Sequence, residues 1–318
     1  MITAILLFVL GLVIIVIGGN FMVDNASKIS LITGIPQSLV GATIVSLATT
    51  LPELNVVIFS SLDGVNEMAV GNSVGSIIFN LTFIVGMLFI FSKNRIGHKS
   101  LGFNYYIMMF AVFIIYVFGI FDVMNRLAGM ILLSIFLFFF INNIIDANKG
   151  GVEVETVSIL LSKKRKKKPK LLTTIICFCL SSFFVSFGAK LLVSNGERIA
   201  TLFNVSEHII GVTIIAIGTS LPEVVTAITS IRKNSTNIAI GNTIGANILS
   251  CTLLLGISAI IEPGKLVMHR NIVNVALPLI LVSSLVILLP MFWRKNCQKL
   301  QGGVLWLLFV VYYCTVIV

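Results

Sequence analysis

Charge is what this sequence has least of: 11% of its 318 residues are Asp, Glu, Lys or Arg, against about 25% in a soluble domain. With 57% hydrophobic residues and a mean hydropathy of +1.08, too few polar residues remain to coat a water-soluble core, and the apolar residues fall in runs of about 20. A soluble globular fold is excluded, and the chain reads as a polytopic membrane protein. Histidine is also scarce. His98, His208 and His269 all fall at the ends of apolar runs, and there is no H-E-x-x-H for a metalloprotease and no Walker-type phosphate loop for a pump. The five cysteines (Cys177, Cys179, Cys251, Cys297 and Cys314) contain no C-x-x-C and no His partner at metal spacing, so they read as small packing residues. Met1 to Val23 is apolar, with neither a basic leader nor an Ala-x-Ala site; it is expected to be a first span and not a cleaved signal.

What charge there is has a pattern. The net charge is +10, and eight of the 22 basic residues lie between Lys149 and Lys170, between two apolar spans. Such clusters set membrane topology or meet anionic lipid headgroups, here at 163–170, and nucleic acid is not the expected partner. Nearly uncharged stretches predict ten helices, near 2–23, 38–62, 67–92, 101–121, 126–145, 171–194, 208–231, 236–261, 271–293 and 301–318, each long enough for a hydrocarbon core about 30 Å thick. Placing the 146–170 loop in the cytoplasm puts 17 basic residues inside and 5 outside, with both termini outside the cell membrane. That loop divides the chain into 1–145 and 171–318, five spans each. Five is odd, so equivalent helices must cross in opposite directions. The expected fold is an all-α polytopic membrane protein of ten transmembrane helices arranged as two inverted five-helix repeats.

The repeat is visible in the residues. Gly41 to Glu53 aligns with Gly211 to Glu223 at an offset of 170, with seven of 13 positions identical. The same offset, without a gap, pairs Ala69-Val70-Gly71-Asn72-Ser73-Val74-Gly75 with Ala239-Ile240-Gly241-Asn242-Thr243-Ile244-Gly245; 20 of 69 positions match between 18 and 86. Chance matches in apolar sequence would favour Leu, Ile and Val, whereas these are concentrated in Gly, Pro, Thr, Asn and Glu.

Ten of the 12 acidic residues lie in loops or near span ends; Glu53 and Glu223 sit near the middle of apolar helices. A carboxylate at that depth costs about 2.5–3.5 kcal/mol and needs a partner. No Lys, Arg or His lies at comparable depth in any predicted span, which leaves a bound cation or protonation. Each Glu follows a Pro that lacks an N–H, so carbonyls near Ser46 to Thr49 and Ala216 to Thr219 are expected to lose helical partners. With the hydroxyls of Thr49, Thr50, Thr219 and Ser220 one turn before the carboxylates, this is an all-oxygen set for a hard cation such as Na⁺ or Ca²⁺. The competing readings are two protonated glutamates bonded across the repeat axis, and hydroxyls that bond back to their own helices. Gly71-x-x-x-Gly75 and Gly241-x-x-x-Gly245 are the small-residue spacing for close helix approach, which would bring Ser76, Asn80, Asn247 and Ser250 against the glutamates. Asn72 and Asn242 would line the ion path or cap a helix break. Gly71-Asn72-Ser73-Val74-Gly75 also satisfies the serine-hydrolase G-x-S-x-G, but no strand-to-helix elbow or nearby His accompanies it.

Two copies of G-x-T-x-x-x-x-x-T-[TS]-L-P-E, each followed by A-[VI]-G-N-x-[VI]-G in a ten-span chain, resemble the cation/calcium antiporter superfamily and its sodium/calcium exchangers in particular. The resemblance implies Ca²⁺ and Na⁺ as transported substrates and no cofactor, with the first and sixth helices sliding across the rest to switch access. It implies Glu53 and Glu223 as shared ligands of both ions, Thr49 and Thr219 at the Ca²⁺ site, and Thr50, Ser220, Ser76, Asn80 and the Ala216 carbonyl at Na⁺ positions. Three positions depart from the pattern. Ser250 stands where many exchangers have Asp or Asn, Ala246 replaces the Ser expected opposite Ser76, and Ile77 replaces the Asn that Asn247 retains. Two carboxylates can be neutralised by one Ca²⁺, two Na⁺ or two protons, so proton-coupled antiport stays open beside Na⁺ coupling, as do a cation channel and a non-transporting scaffold. Nothing in the pattern requires an oligomer.

Overall fold

The computed structural model describes residues 2–93, 96, 98–149, 170–202, 216–293 and 298–317. It is helical throughout, with a single isolated β-bridge between Asn125 and Lys265 among the described residues. Ten helices follow the ten apolar stretches. They are α1 (Ile2–Thr33), α2 (Gln37–Leu62), α3 (Asn66–Phe91), α4 (His98–Ile120), α5 (Arg126–Lys149), α6 (Leu171–Leu202), α7 (Ala216–Thr219 and Leu221–Arg232), α8 (Thr236–Ile261), α9 (Ile272–Ala276 continuing as Leu277–Trp293) and α10 (Gln298–Ile317). Seven of these are long and apolar enough to cross a membrane by length and composition.

α1 and α6 run about two turns past their predicted ends at 23 and 194. Hydropathy alone missed these turns because they carry Asp24, Asn25, Lys28, Asn195 and Arg198. Asn25 and Asn195 satisfy themselves locally, each donating its side-chain N–H to the carbonyl four residues back (2.8 and 2.7 Å). The 146–170 loop lies outside the described residues except at its ends, as do 203–215, which hold the start of the predicted 208–231 span.

α3 and α8 are central: 78% of the apolar stretch of each is buried, against 28% for α1 and 33% for α6. The two peripheral helices pack on each other in opposite directions. A Cβ at Gly11 would sit 2.8 Å from the Gly188 carbonyl oxygen, and one at Gly18 would lie 3.2 Å from that of Ser181. Since 11 and 181, and 18 and 188, are equivalent at the offset of 170, these are the same contact made twice, as an inverted pair requires. The repeats also interlock further out. Gly86 on α3 faces Gly302 on α10, and its equivalent Gly256 on α8 faces Gly129 on α5. Each central helix thus packs against the last helix of the other half. Burial of Leu88, Ile115, Leu132, Ile280 and Leu305 joins α3, α4, α5, α9 and α10 in one apolar cluster.

Four hydrogen bonds pin this outer layer. Tyr105 donates to the Ser284 carbonyl (2.7 Å), Trp306 to the Phe83 carbonyl (3.1 Å), and Asn104 and Asn143 bond reciprocally (2.8 and 3.1 Å). The remaining large apolar side chains of α1 and α6, among them Leu6, Phe21, Leu172 and Phe183, point outward, which is the surface a bilayer covers.

Candidate cation site at the repeat interface

Two backbone irregularities shape the centre. α3 widens into a π-helical turn over Asn80–Ile84 and α8 into another over Leu249–Leu254; Asn80 and Ser250 occupy equivalent positions in them. Thr82 and Thr252, also equivalent, donate to the carbonyls of Ile78 and Ile248 (2.6 and 2.5 Å), a bond that accompanies the widened ladder. α2 carries a third such turn at Gly41–Val45, where Gly41, Gly241 and Gly245 let α2 and α8 meet backbone to backbone.

The expectation for the two prolines needs correction in one half. Ser46–Leu62 is an unbroken α-helix across Pro52; the missing N–H leaves the Ala48 carbonyl without its usual donor, and the wide turn lies upstream at 41–45. The Ser46 carbonyl lies 3.3 Å from the Thr49 hydroxyl, as a second and longer acceptor for it. In the second half the helix does break, at Ser220 (φ −91°, ψ 7°), and Pro222 opens a new helix. The difference puts the Ser220 hydroxyl across the interface on Glu53, whereas the hydroxyl of the equivalent Thr50 has no hydrogen-bond partner.

Glu53 and Glu223 are both fully buried and lie beside each other. Around Glu53 the structure gathers three predicted site residues. Ser220 donates to Oε1 (2.9 Å), Ser250 reaches Oε2 (3.4 Å), and Ser76 lies 3.3 Å from the Ser220 hydroxyl. Asn80 donates to Asn247 Oδ1 (3.0 Å), which bridges α3 and α8, and Asn247 Nδ2 lies 3.6 Å from Met108 Sδ. Glu223 is different: the Thr49 hydroxyl lies beside its carboxylate, yet neither buried oxygen has a hydrogen bond of normal geometry, and Thr50 Oγ1 and Asn80 Oδ1 are likewise unpartnered. Of Ala216 only the backbone, at the start of α7, is described. Among the described residues no three His, Cys, Asp or Glu side chains cluster. The oxygens on offer are two carboxylates with hydroxyls, amides and carbonyls, a hard-cation set.

Asn72 and Asn242, left between two readings by the sequence, each bond a motif threonine of the other repeat. Thr49 donates to Asn242 Oδ1 (3.1 Å), and the equivalent Thr219 donates to Asn72 Oδ1 (3.2 Å), each across the repeat interface. Their signal was a polar residue held at the same place between the glycines of both G-N-x-x-G copies. The hydrolase-like Ser73 bonds back to the Ala69 carbonyl (2.9 Å), and Thr243 does the same to Ala239 (2.9 Å), as a packing motif does.

An inverted-repeat helical bundle with discontinuous helices and a polar midplane is the architecture of a secondary transporter. The family model described as sodium/calcium exchanger protein matches residues 3–145 and 173–318, and the chain belongs to that family, whose members are transporters of the cation/Ca²⁺ exchanger class. Among similar proteins, inner membrane protein YrbG of Escherichia coli is 32% identical over 312 residues, covering 96% of this chain and 94% of its own. Sodium/calcium exchanger MaX1 of Methanosarcina acetivorans is 28% identical, with 96% of both chains covered. The solved structure of the sodium-calcium exchanger NCX_Mj soaked with 2.5 mM Na⁺ and 10 mM Sr²⁺ superposes with a TM-score of 0.83 at 25% identity, over 98% of each chain. The chain is a multi-pass membrane protein of this fold.

Proposed function

We propose that the protein exchanges Ca²⁺ for Na⁺ across the cell membrane by alternating access to a site formed by the two T-[TS]-L-P-E motifs. The observation that carries this reading is the pair of fully buried glutamates, Glu53 and Glu223, with no cationic side chain among their hydrogen-bond or ion-pair partners and both Glu223 oxygens unpartnered. A buried carboxylate without a donor is a strong demand for a cation or a proton. Two negative charges match one Ca²⁺ or two Na⁺, and a site left unneutralised is too costly to carry across the bilayer; exchange follows from that exclusion. Glu53 and Glu223 are the shared ligands in this reading. Thr49 and Thr219 serve Ca²⁺; Thr50, Ser76, Asn80, Ser220 and the Ala216 carbonyl serve Na⁺, with Ser250, Asn247 and Ser46 around them. No enzymatic step and no cofactor is part of the cycle. Residues 1–145 and 171–318 are the two inverted halves, both termini face outward, and the 163–170 cluster meets anionic headgroups.

The second reading, proton-coupled Ca²⁺ antiport, is favoured by Ser250, which leaves only two ionisable groups at the centre. Uptake of ⁴⁵Ca²⁺ into proteoliposomes separates the two. Uptake that needs internal Na⁺, fails with internal K⁺ and vanishes in Glu53→Gln supports Na⁺ exchange; uptake driven only by a pH gradient replaces it with the proton-coupled reading.

A further inference from the structure

A hydroxyl coordinates a cation through its oxygen lone pairs, so its proton must be taken by an acceptor on the far side. Thr49 and Thr219 each have such an acceptor, and it comes from the other repeat: Asn242 Oδ1 at 3.1 Å and Asn72 Oδ1 at 3.2 Å. Asn242 and Thr49 are each 1% exposed, so water does not compete for the bond. The arrangement occurs twice at the same offset, which packing alone does not demand. We propose that Asn72 and Asn242 are positioning residues, each taking the proton of the opposite motif threonine and turning its lone pairs toward the transported ion. A neutral amide does this without adding a third carboxylate to the charge balance. The Ser46 carbonyl, 3.3 Å from Thr49 Oγ1, is the acceptor that takes over when Asn242 is removed, and it swings the hydroxyl back onto its own helix.

This inference rests on the cation reading of the threonines, and the test separates the two. In proteoliposomes of the full chain, the Ca²⁺ concentration for half-maximal exchange is measured for Thr49→Val, Asn242→Leu and the double variant, with Thr219→Val and Asn72→Leu as the second set. The expected result is a rise of about threefold to tenfold for each single variant, the fold-change of one lost hydrogen bond, and no further rise in the double variant. An additive double variant, or an Asn→Leu change that lowers only the maximal rate, makes the asparagines packing residues and overturns the inference alone. A Thr→Val variant with unchanged half-saturation removes the threonine from the site and overturns both. The repeat-related pair keeps the test decisive if one variant does not fold.

A different pair of residues ties α1 to the core. Lys233, in the turn between α7 and α8, pairs with Asp24 (2.6 Å) and donates to the Asn20 carbonyl (2.7 Å). At the offset of 170, Lys233 is equivalent to Asp63, in the turn between α2 and α3, and Asn20 to Lys190, on α6. Asp24 itself is equivalent to Ser194, so the opposite face carries no copy of the latch but has opposite charges of its own, Asp63 and, one turn before Ser194, Lys190, which do not pair among the described residues. Inverted repeats reach the opposite access state by exchanging conformations. We infer that Asp24–Lys233 and Asp63–Lys190 are alternate latches, one closed in each access state; this too rests on the antiport reading. The test is pulsed electron resonance in lipid nanodiscs, with nitroxides at the outward-facing positions Ile17 and Val282 of a chain whose native cysteines are replaced. Asp24→Lys is expected to reduce the population of the state described here about twofold to fivefold, the range of an exposed ion pair. Adding Lys233→Asp restores it, and Lys190→Asp raises it. Shifts of Asp24→Lys and Lys190→Asp in the same direction, or no shift in either, overturn the latch. A single distance in the wild type under every ion condition would instead count against alternating access itself.

Discussion

The two halves of this molecule carry the same motif on the same helices, yet their glutamates sit in different surroundings. Glu53 receives hydroxyls from Ser220 and Ser250, both supplied by the second half. The equivalent donors for Glu223 would be Thr50 and Asn80 from the first half. Thr50 Oγ1 has no partner, Asn80 points its amide at Asn247, and both Glu223 oxygens are unsatisfied. The cause lies in the backbone. α7 breaks at Ser220 and swings that hydroxyl outward, whereas α2 runs straight through Pro52. The two halves of this candidate site are thus not equal. One carboxylate is held by protein hydroxyls, and neither oxygen of the other has a hydrogen-bond partner.

The harshest way to break the comparison is to neutralise each carboxylate. Glu53→Gln and Glu223→Gln should each reduce ⁴⁵Ca²⁺ exchange by about 100-fold or more, since ligand charge count tunes Ca²⁺ affinity over several orders of magnitude. Ion-free stability should separate them. A glutamine at 53 keeps one acceptor oxygen and offers an N–H to the other serine hydroxyl, while one at 223 removes a carboxylate whose two oxygens have no hydrogen-bond partner. Glu223→Gln is therefore expected to raise the melting temperature without Ca²⁺ more than Glu53→Gln does. The reverse order would mean that the asymmetry of donors does not govern the ion-free state.

Packing between α2 and α8 is the next most sensitive point. Gly245 lies against the Ala42 backbone, and a Cβ there would come 2.7 Å from Ser46 Oγ. Gly245→Val should destabilise the protein by about 1–3 kcal/mol through overpacking, seen as a lower melting temperature in detergent together with lost exchange. Gly303, on α10, has open space at its Cβ and should accept Ala with little change.

A gentler comparison sets Ser220→Ala against Thr50→Ala, the same position in the two halves. Removing Ser220 deletes a buried donor to a carboxylate, worth about 1.5–3 kcal/mol, and should weaken Na⁺ activation by about 10-fold or more. Thr50 Oγ1 has no hydrogen-bond partner, so Thr50→Ala should leave stability measured without Na⁺ or Ca²⁺ within about 0.5 kcal/mol while still reducing Na⁺ activation. Equal loss of ion-free stability in both variants would erase the difference between the halves.

How much of this was legible in the sequence follows the range of the forces involved. The ten helices follow from hydrophobic runs, and their inverted arrangement follows from an odd span count with an offset of 170, because both are local or periodic signals. The pairing of Glu53 with Glu223 at the repeat interface was legible as a candidate site because neither has a reason to lie in an apolar helix without a partner. What stayed hidden depends on contacts between distant residues. The last two turns of α1 looked too polar to be helix, although Lys233 pairs with Asp24 from 209 residues away. The π-helical turns at Asn80 and Ser250 leave no composition signature beyond Thr82 and Thr252. Identical T-x-L-P-E segments gave no hint that one helix would break and the other would not.

The finest test of the comparison is Ser250, the position where the chain departs from the acidic or amide residue of many exchangers. Its hydroxyl lies 3.4 Å from Glu53 Oε2, at the long end for a hydrogen bond, while Ser220 holds Oε1 at 2.9 Å. Ser250→Ala should therefore cost less than Ser220→Ala, under about 1 kcal/mol, and shift half-maximal Na⁺ activation by less than about 5-fold. Ser250→Asp acts oppositely. It adds a third negative charge beside two buried carboxylates, so full neutralisation then needs one more monovalent cation or proton per cycle. Exchange by that variant should depend more steeply on Na⁺ concentration or on pH than exchange by the wild type, and which of the two steepens identifies the ion this site couples to Ca²⁺. If neither steepens, position 250 lies outside the charge balance, and its serine is a donor to Glu53 and nothing more.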